Sequence, residues 1–245
     1  DHVILHHDKF AEGVRRGEAI LDEHPNAIVT FGIKPSYPAE SFGYIQRGDV
    51  IEGHEAYKVK TFREKPDSET AKKYLDEGTF SWNSGIFLWK AQTILDALKQ
   101  HEPEMYSHIE AISDAIGTDE YDEVLQKEFA AIEGKSIDYA VMERHSPVVV
   151  IEAPFDWDDV GSWQAVSRLH PADEFGNAVV GSHVNVDSSG CIIHGNPGHT
   201  IATIDVHDPI VMQTADATLV APKTSEERVR EVVAALQASG SEDRI

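Results

Sequence analysis

Ala27-Ile28-Val29-Thr30-Phe31 carries no charge, is rich in β-branched and aromatic residues, and reads as a buried strand. Before it, Asp8 to Glu23 spaces Phe10, Val14, Ile20 and Leu21 among charges, the pattern of an amphipathic helix. Helix followed by buried strand points to an α/β layer. Downstream, Gly32, Pro35, Pro38 and Gly43 punctuate the chain too densely for regular structure, so Ile33 to Gly43 is expected to be a shaped loop ending near Tyr44-Ile45.

The alternation continues. Val59 to Arg63 reads as a strand, and Ser68 is placed to cap a helix Glu69 to Glu77 that stops at Gly78. Gly85-Ile86-Phe87-Leu88-Trp89 is a compact apolar run, followed by helical spacing in Ile94, Leu95 and Leu98 and by further helical stretches to about Phe129. Val148-Val149-Val150-Ile151 is strand-like and Ser162 to Leu169 helical. From Asn177 to Val220 the composition shifts to short β segments separated by Gly, Asn, Asp and Pro, with no internal repeat strong enough to claim. Glu226 to Leu236 closes the chain as an amphipathic helix. These shifts place a boundary near Pro171 to Gly176 and divide the chain into domains 1–172 and 173–245.

With 245 residues the chain can bury a substantial core. No apolar run approaches the roughly 18 residues needed to cross a bilayer. The start, Asp1-His2-Val3-Ile4-Leu5, lacks the basic and apolar regions of a signal peptide, and the single Cys191 has no internal disulfide partner, so a reducing cytoplasm is expected. A formal charge of −22 opposes association with nucleic acid or an anionic membrane. An anionic substrate requires a divalent metal and a few placed cations to reverse that field locally.

Three segments carry candidate chemistry. In Phe62-Arg63-Glu64-Lys65-Pro66 a carboxylate at a strand end stands beside an ammonium, so Glu64 can fix hydroxyls while Lys65 meets a phosphate; a solvated surface pair is the alternative. Trp82-Asn83-Ser84-Gly85 sets an amide that both donates and accepts in a turn before a strand, either to read a hydroxyl-rich ligand or only to build the turn. Phe155-Asp156-Trp157-Asp158-Asp159-Val160-Gly161-Ser162-Trp163 gathers three carboxylates, with Ser162 available to cap the next helix. Clustered carboxylates suit a hard cation such as Mg²⁺. Asp156 and Asp158 are expected to face water and Asp159 to be the ligand. The histidines, His6-His7 among them, show no paired metal spacing.

Together with Thr30-Phe31-Gly32-Ile33, Phe42-Gly43-Tyr44-Ile45 and Ser136-Ile137-Asp138-Tyr139-Ala140, these segments resemble the bacterial mannose-1-phosphate guanylyltransferases in order and spacing, from Asp1 to about Leu236. The resemblance implies an α/β nucleotidyltransferase domain, Rossmann-like with a mixed sheet, followed by a small β-rich C-terminal domain. It implies that Gly43 and Tyr44 line a sugar pocket, that Glu64 and Asn83 hold mannose hydroxyls, and that Lys65 meets the sugar phosphate. It also implies that Asp1 and Asp159 share a catalytic Mg²⁺. Asp138 is carried over as a residue near the sugar, although an N-terminal helix cap would explain Ser136 and Asp138 equally well.

The family's Gly-rich phosphate loop, with its Arg and following Lys, has no counterpart in this sequence. The nucleotidyltransferase domain is therefore expected to be N-terminally incomplete and this chain alone incomplete for activity. The implied reaction transfers GMP from GTP to mannose 1-phosphate, with GDP-mannose and pyrophosphate as products and a homodimer compatible with the reading. Three readings stand beside it: a noncatalytic sugar-phosphate-binding or regulatory module, a nucleotidyltransferase for another hexose 1-phosphate, and a fragment whose exposed core edge drives aggregation or dimerisation.

Overall fold

The computed structural model describes residues 2–241. The chain packs as two compact units, one formed by Ile4–Trp157 and the other by the chain after Trp157 together with the segment before Ile4.

In the first unit the elements run α1 (His7–Glu23), β1 (Ile28–Ile33), β2 (Tyr44–Val50), β3 (Ala56–Arg63), α2 (Ser68–Glu77), β4 (Phe80–Leu88), α3 (Ala91–His101), α4 (Pro103–Ala115), α5 (Tyr121–Ala131), a π-helical turn (Asp138–Met142) and β5 (Val148–Glu152). The strands are ordered β1-β4-β2-β3-β5. β1 runs parallel to β5 and antiparallel to β4, which confirms the mixed sheet of an α/β fold. Pairing of β3 with β5 then closes the sheet on itself, a feature that local patterning does not encode.

β1 is uncharged because it is enclosed. Ile28, Val29, Thr30 and Phe31 are all fully buried, and a buried side chain such as Phe31 contributes about 1.5–3 kcal/mol. α1 lays Ile20 and Leu21 against this strand. It approaches closely through Gly17, where a Cβ would stand 2.7 Å from the Leu88 side chain. At α2 the cap is Asp67 rather than Ser68: its carboxylate accepts the Thr70 N–H at 2.8 Å, and Gly78 ends the helix at φ +66° as expected.

A second correction concerns Trp82-Asn83-Ser84-Gly85, which lies inside β4 and not in a turn before it. β4 is held by β2 on one side and β1 on the other, and the turn-forming residues are absorbed as an irregularity. The register passes from Thr30↔Phe87 to Gly32↔Asn83, leaving Ser84, Gly85 and Ile86 across from Phe31, with Gly85 at φ +69°.

The second unit contains α6 (Trp163–Arg168), β6 (Ala178–Val180), β7 (Ser182–Val186), β8 (Ile192–His194), β9 (Thr200–Ile204), β10 (Pro209–Gln213), β11 (Thr218–Pro222), a 3₁₀ turn (Lys223–Arg228) and α7 (Val229–Ala238). Its strands stack as coils. Ala178, Ile192 and Ile210 lie in parallel register, as do Val179, Ile193 and Val211, while β7 pairs in parallel with β9. The interior is packed by Cys191, Ile193 and Val211. Asn177 stitches one coil to the next, its amide oxygen accepting the Cys191 N–H at 2.8 Å and its amide nitrogen donating to Asp173 at 3.0 Å. Among the described residues, no helix is long and apolar enough to cross a membrane.

Candidate functional site

In the first unit, the end of β3, the irregular part of β4 and the π-helical turn bring Glu64, Lys65, Asn83 and Asp138 into one electrostatic cluster. The Asn83 amide is fixed at both ends. Its nitrogen donates to Asp138 Oδ1 at 2.9 Å, and its oxygen accepts the Gly85 N–H at 3.1 Å and faces the Thr30 hydroxyl at 3.5 Å. The Asn83 backbone N–H donates to the Gly43 carbonyl at 2.8 Å. Asp138 opens the π-helical turn without capping it, so its carboxylate is free to meet Asn83 and the cap reading does not hold. Burial raises the Asp138 pKa, with the Asn83 hydrogen bond opposing.

Glu64 stands apart from the rest. Its Oε2 atom is buried and has no hydrogen-bond partner among the described residues. Its pKa is pushed up to about 7, by burial first and then by the Asp138 charge, with Lys65 opposing and Glu143 adding to the rise. The carboxylate lies against the bare Cα of Gly43, since a Cβ there would overlap Oε2. Lys65 holds a left-handed conformation at φ +45°, uncommon for a residue with a side chain, which turns the chain sharply at the strand end. Tyr44 is fully buried and donates its hydroxyl to the Ala39 carbonyl at 3.0 Å, so it braces the loop from beneath. An unpartnered buried acceptor beside an oriented amide and an ammonium suits a ligand that brings hydroxyl donors and a negative charge.

The carboxylate-rich segment separates into three roles. Asp156, in the first unit, does not simply face water: it accepts from the backbone N–H groups of Leu5 and His6 at 3.2 and 3.1 Å and from His6 Nδ1 at 2.9 Å. Burial alone would raise its pKa, and these hydrogen bonds bring it below the ordinary value. Asp158, in the second unit, is likewise engaged, by a two-pronged ion pair with Arg168 at 2.8 and 3.1 Å and by the Val160 N–H at 3.0 Å. Among the described residues no hydrogen bond reaches the Asp159 carboxylate. The chain turns sharply after it: Val160 stands at φ +47°, a costly conformation for a β-branched residue, and the carboxylate folds over Gly161, where a Cβ would come within 2.6 Å of Asp159 Oδ2. Ser162 caps α6 as expected, its Oγ accepting the Ala165 N–H at 3.1 Å.

A carboxylate without a hydrogen bond among the described residues, near enough to His2 to oppose the burial that lowers the pKa of that imidazole, fits one ligand position of a hard divalent cation. No group of three His, Cys, Asp or Glu residues converges on a metal position among the described residues. Asp1, the other ligand expected from the sequence, lies outside them.

The Nucleotidyl transferase family model matches residues 1–175, most of the chain. The chain belongs to the nucleotidyl transferase family. Residues 181–236 match the MannoseP isomerase/GMP-like beta-helix domain, in agreement with the stacked coils of the second unit. The chain is 36% identical over 244 residues to the mannose-1-phosphate guanylyltransferase of Escherichia coli strain K12, an alignment covering 98% of this chain and 50% of that protein. A crystal structure from Thermus thermophilus described as a mannose-1-phosphate geranyltransferase superimposes with a TM-score of 0.83 at 31% identity, covering 97% of this chain and 68% of that one. One described as a mannose-6-phosphate isomerase from Helicobacter pylori gives a TM-score of 0.55 at 27% identity, covering 65% of this chain and 61% of that one. This nucleotidyl transferase chain spans about half the length of the curated relatives it matches.

Sequence reasoning missed Glu143, which accepts the Glu64 backbone N–H at 3.4 Å through Oε1 and helps to raise the Glu64 pKa. Glu143 lies one π-turn after Asp138, and its N–H donates to the Asp138 carbonyl at 3.0 Å. A search for α-helical spacing passes over a pair so separated. The sequence assigns no site role to Thr30, whose hydroxyl donates to the Ile86 carbonyl at 3.1 Å and faces Asn83.

Proposed function

We propose that the chain supplies the sugar-phosphate-binding and β-helical parts of a mannose-1-phosphate guanylyltransferase of the cytoplasm, with domains 1–172 and 173–245 and a homodimer as the assembled form. The observation that carries the reading is the buried Glu64 Oε2 without a donor, set beside Asn83, Asp138 and Lys65. Sugar hydroxyls donate to Glu64 and to Asp138, the Asn83 amide orders the Asp138 carboxylate, and Gly43, bare of a side chain, lets the Glu64 carboxylate sit against it. Tyr44 supports that floor from below. Lys65 neutralises the sugar phosphate. The likeness to guanylyltransferases along nearly the whole chain supports mannose 1-phosphate and GTP as substrates.

In the intact enzyme a phosphate oxygen of mannose 1-phosphate attacks the α-phosphorus of GTP in line. A new P–O bond forms, the bond to the β-phosphate oxygen breaks, and pyrophosphate leaves with GDP-mannose as product. Asp159 and Asp1 would hold Mg²⁺, which would supply neutralisation of phosphate charge. The protein's own part is alignment: Lys65 fixes the nucleophilic phosphate, and the carboxylates fix the ring that carries it.

Titration calorimetry of the chain with mannose 1-phosphate and glucose 1-phosphate, repeated on Glu64→Ala, tests the sugar half. Mannose 1-phosphate is expected to bind more tightly than its glucose counterpart and to lose at least tenfold, about 1.4 kcal/mol, in the variant. Equal binding of both sugars, or binding unaffected in Glu64→Ala, would refute the assignment.

A further inference from the structure

The carboxylate that meets Asn83 is carried on a π-helical turn, and that turn is held from behind by one side chain. The Arg144 guanidinium donates to the Ala140 carbonyl at 2.5 Å, to the Tyr139 carbonyl at 3.2 Å and to the His101 carbonyl at 3.1 Å, and also to Glu102 Oε1. The last residue of α3, the residue before α4 and the first turn after Asp138 therefore converge on one planar cation. Lys135 reaches the same Glu102 oxygen at 2.6 Å, and these hydrogen bonds, Lys135's first and Arg144's second, hold the Glu102 pKa below its ordinary value. Carbonyls at adjacent positions of a wide turn are poorly paired within the helix, and a guanidinium fork satisfies several of them at fixed angles where an ammonium cannot.

We propose that Arg144 is a positioning residue for the sugar site: by clamping the Tyr139 and Ala140 carbonyls to Glu102 and His101, it sets the rotation of the turn that aims Asp138 at Asn83. Its neighbour Glu143, which receives the Glu64 N–H, is placed by the same clamp. Arg144 itself does not touch Glu64, Asn83 or Asp138 through any hydrogen bond recorded among the described residues. Its effect on sugar binding rests on the function proposed above, while its effect on the Asp138–Asn83 bond does not.

The test uses the 245-residue chain and its Arg144→Met, Arg144→Lys and Asp138→Asn variants. Two readouts are taken: the side-chain amide NMR signal of Asn83 without ligand, and mannose 1-phosphate affinity by calorimetry. Arg144→Met is expected to move the Asn83 amide signal in the direction seen in Asp138→Asn and to weaken sugar-phosphate binding about tenfold. Arg144→Lys, which keeps the charge without the fork, should fall between Met and wild type in both, and it preserves the test should Arg144→Met fold poorly. An Asn83 signal unchanged in both Arg144 variants overturns the positioning role. If the wild-type chain fails to bind mannose 1-phosphate while the Asn83 signal responds to Arg144, the sugar assignment is at fault and the positioning role stands.

Discussion

Replacing Glu64 by Gln should make the protein more stable above neutral pH and worse at its task. The substitution keeps the shape of the side chain and removes its charge. In the folded protein the Glu64 pKa is about 7 against an ordinary value of 4.5, so the native state holds the proton more tightly than the unfolded chain does. Stability attributable to this group is complete below pH 4.5, declines as pH rises between the two values, and stays low above 7. The full shift corresponds to about 3 kcal/mol, and because roughly half of the group is solvent-screened, about 1–2 kcal/mol is the effect to expect. Urea unfolding of wild type and Glu64→Gln at about pH 5 and about pH 8 measures it: the variant's advantage should grow by that amount between the two pH values. A pH-independent difference would refute the burial argument. The same variant should bind mannose 1-phosphate more weakly, because an amide replaces an anionic acceptor.

Gly43→Ala forces a methyl group into Glu64 Oε2 and is expected to cost about 1–3 kcal/mol of stability and to weaken sugar-phosphate binding, both measurable on one preparation. Asp67→Ala removes the α2 cap and should lower the midpoint of chemical unfolding with no change in ligand affinity. In an enzyme extended through a Gly-rich phosphate loop, Asp159→Asn should abolish pyrophosphate release while leaving the unfolding midpoint near wild type. Asp156→Asn weakens three hydrogen bonds to Leu5 and His6 and should instead lower stability by about 1–2 kcal/mol with turnover retained.

The α/β alternation was readable because α1, β1 and β5 carry their burial in their local pattern: a stripe of apolar residues in one and uninterrupted apolar runs in the others. Closure of the sheet was not, because the pairing of Ala56, Tyr57 and Lys58 with Ile151, Val150 and Val149 joins segments far apart in sequence and of ordinary composition. Asn83 stood out in the sequence but was misplaced as an element, since turn chemistry in Asn-Ser-Gly was outweighed by strands on both sides. Asp156 and Asp158 looked alike in sequence and differ in their partners, His6 and Leu5 for one and Arg168 and Val160 for the other. The coils of the second unit escaped notice because equivalent positions share shape, not identity: Val186 stands over Ile204 and Ile193 over Val211, while Asn185 matches Thr203 and Cys191 precedes one rung as Pro209 begins the next.

Those coils bear on how the protein avoids joining copies of itself end to end. Parallel rungs are a template that any strand of the same pitch can lengthen, and an open stack invites fibre growth. β11 interrupts the template by reversing direction on β10, with Ile210 opposite Ala221 and Val211 opposite Val220, so the last rung no longer offers the parallel pattern of the coils beneath it. Variants that unfasten β11 while leaving β6, β8 and β10 intact should therefore polymerise rather than unfold, and thioflavin fluorescence would register the difference.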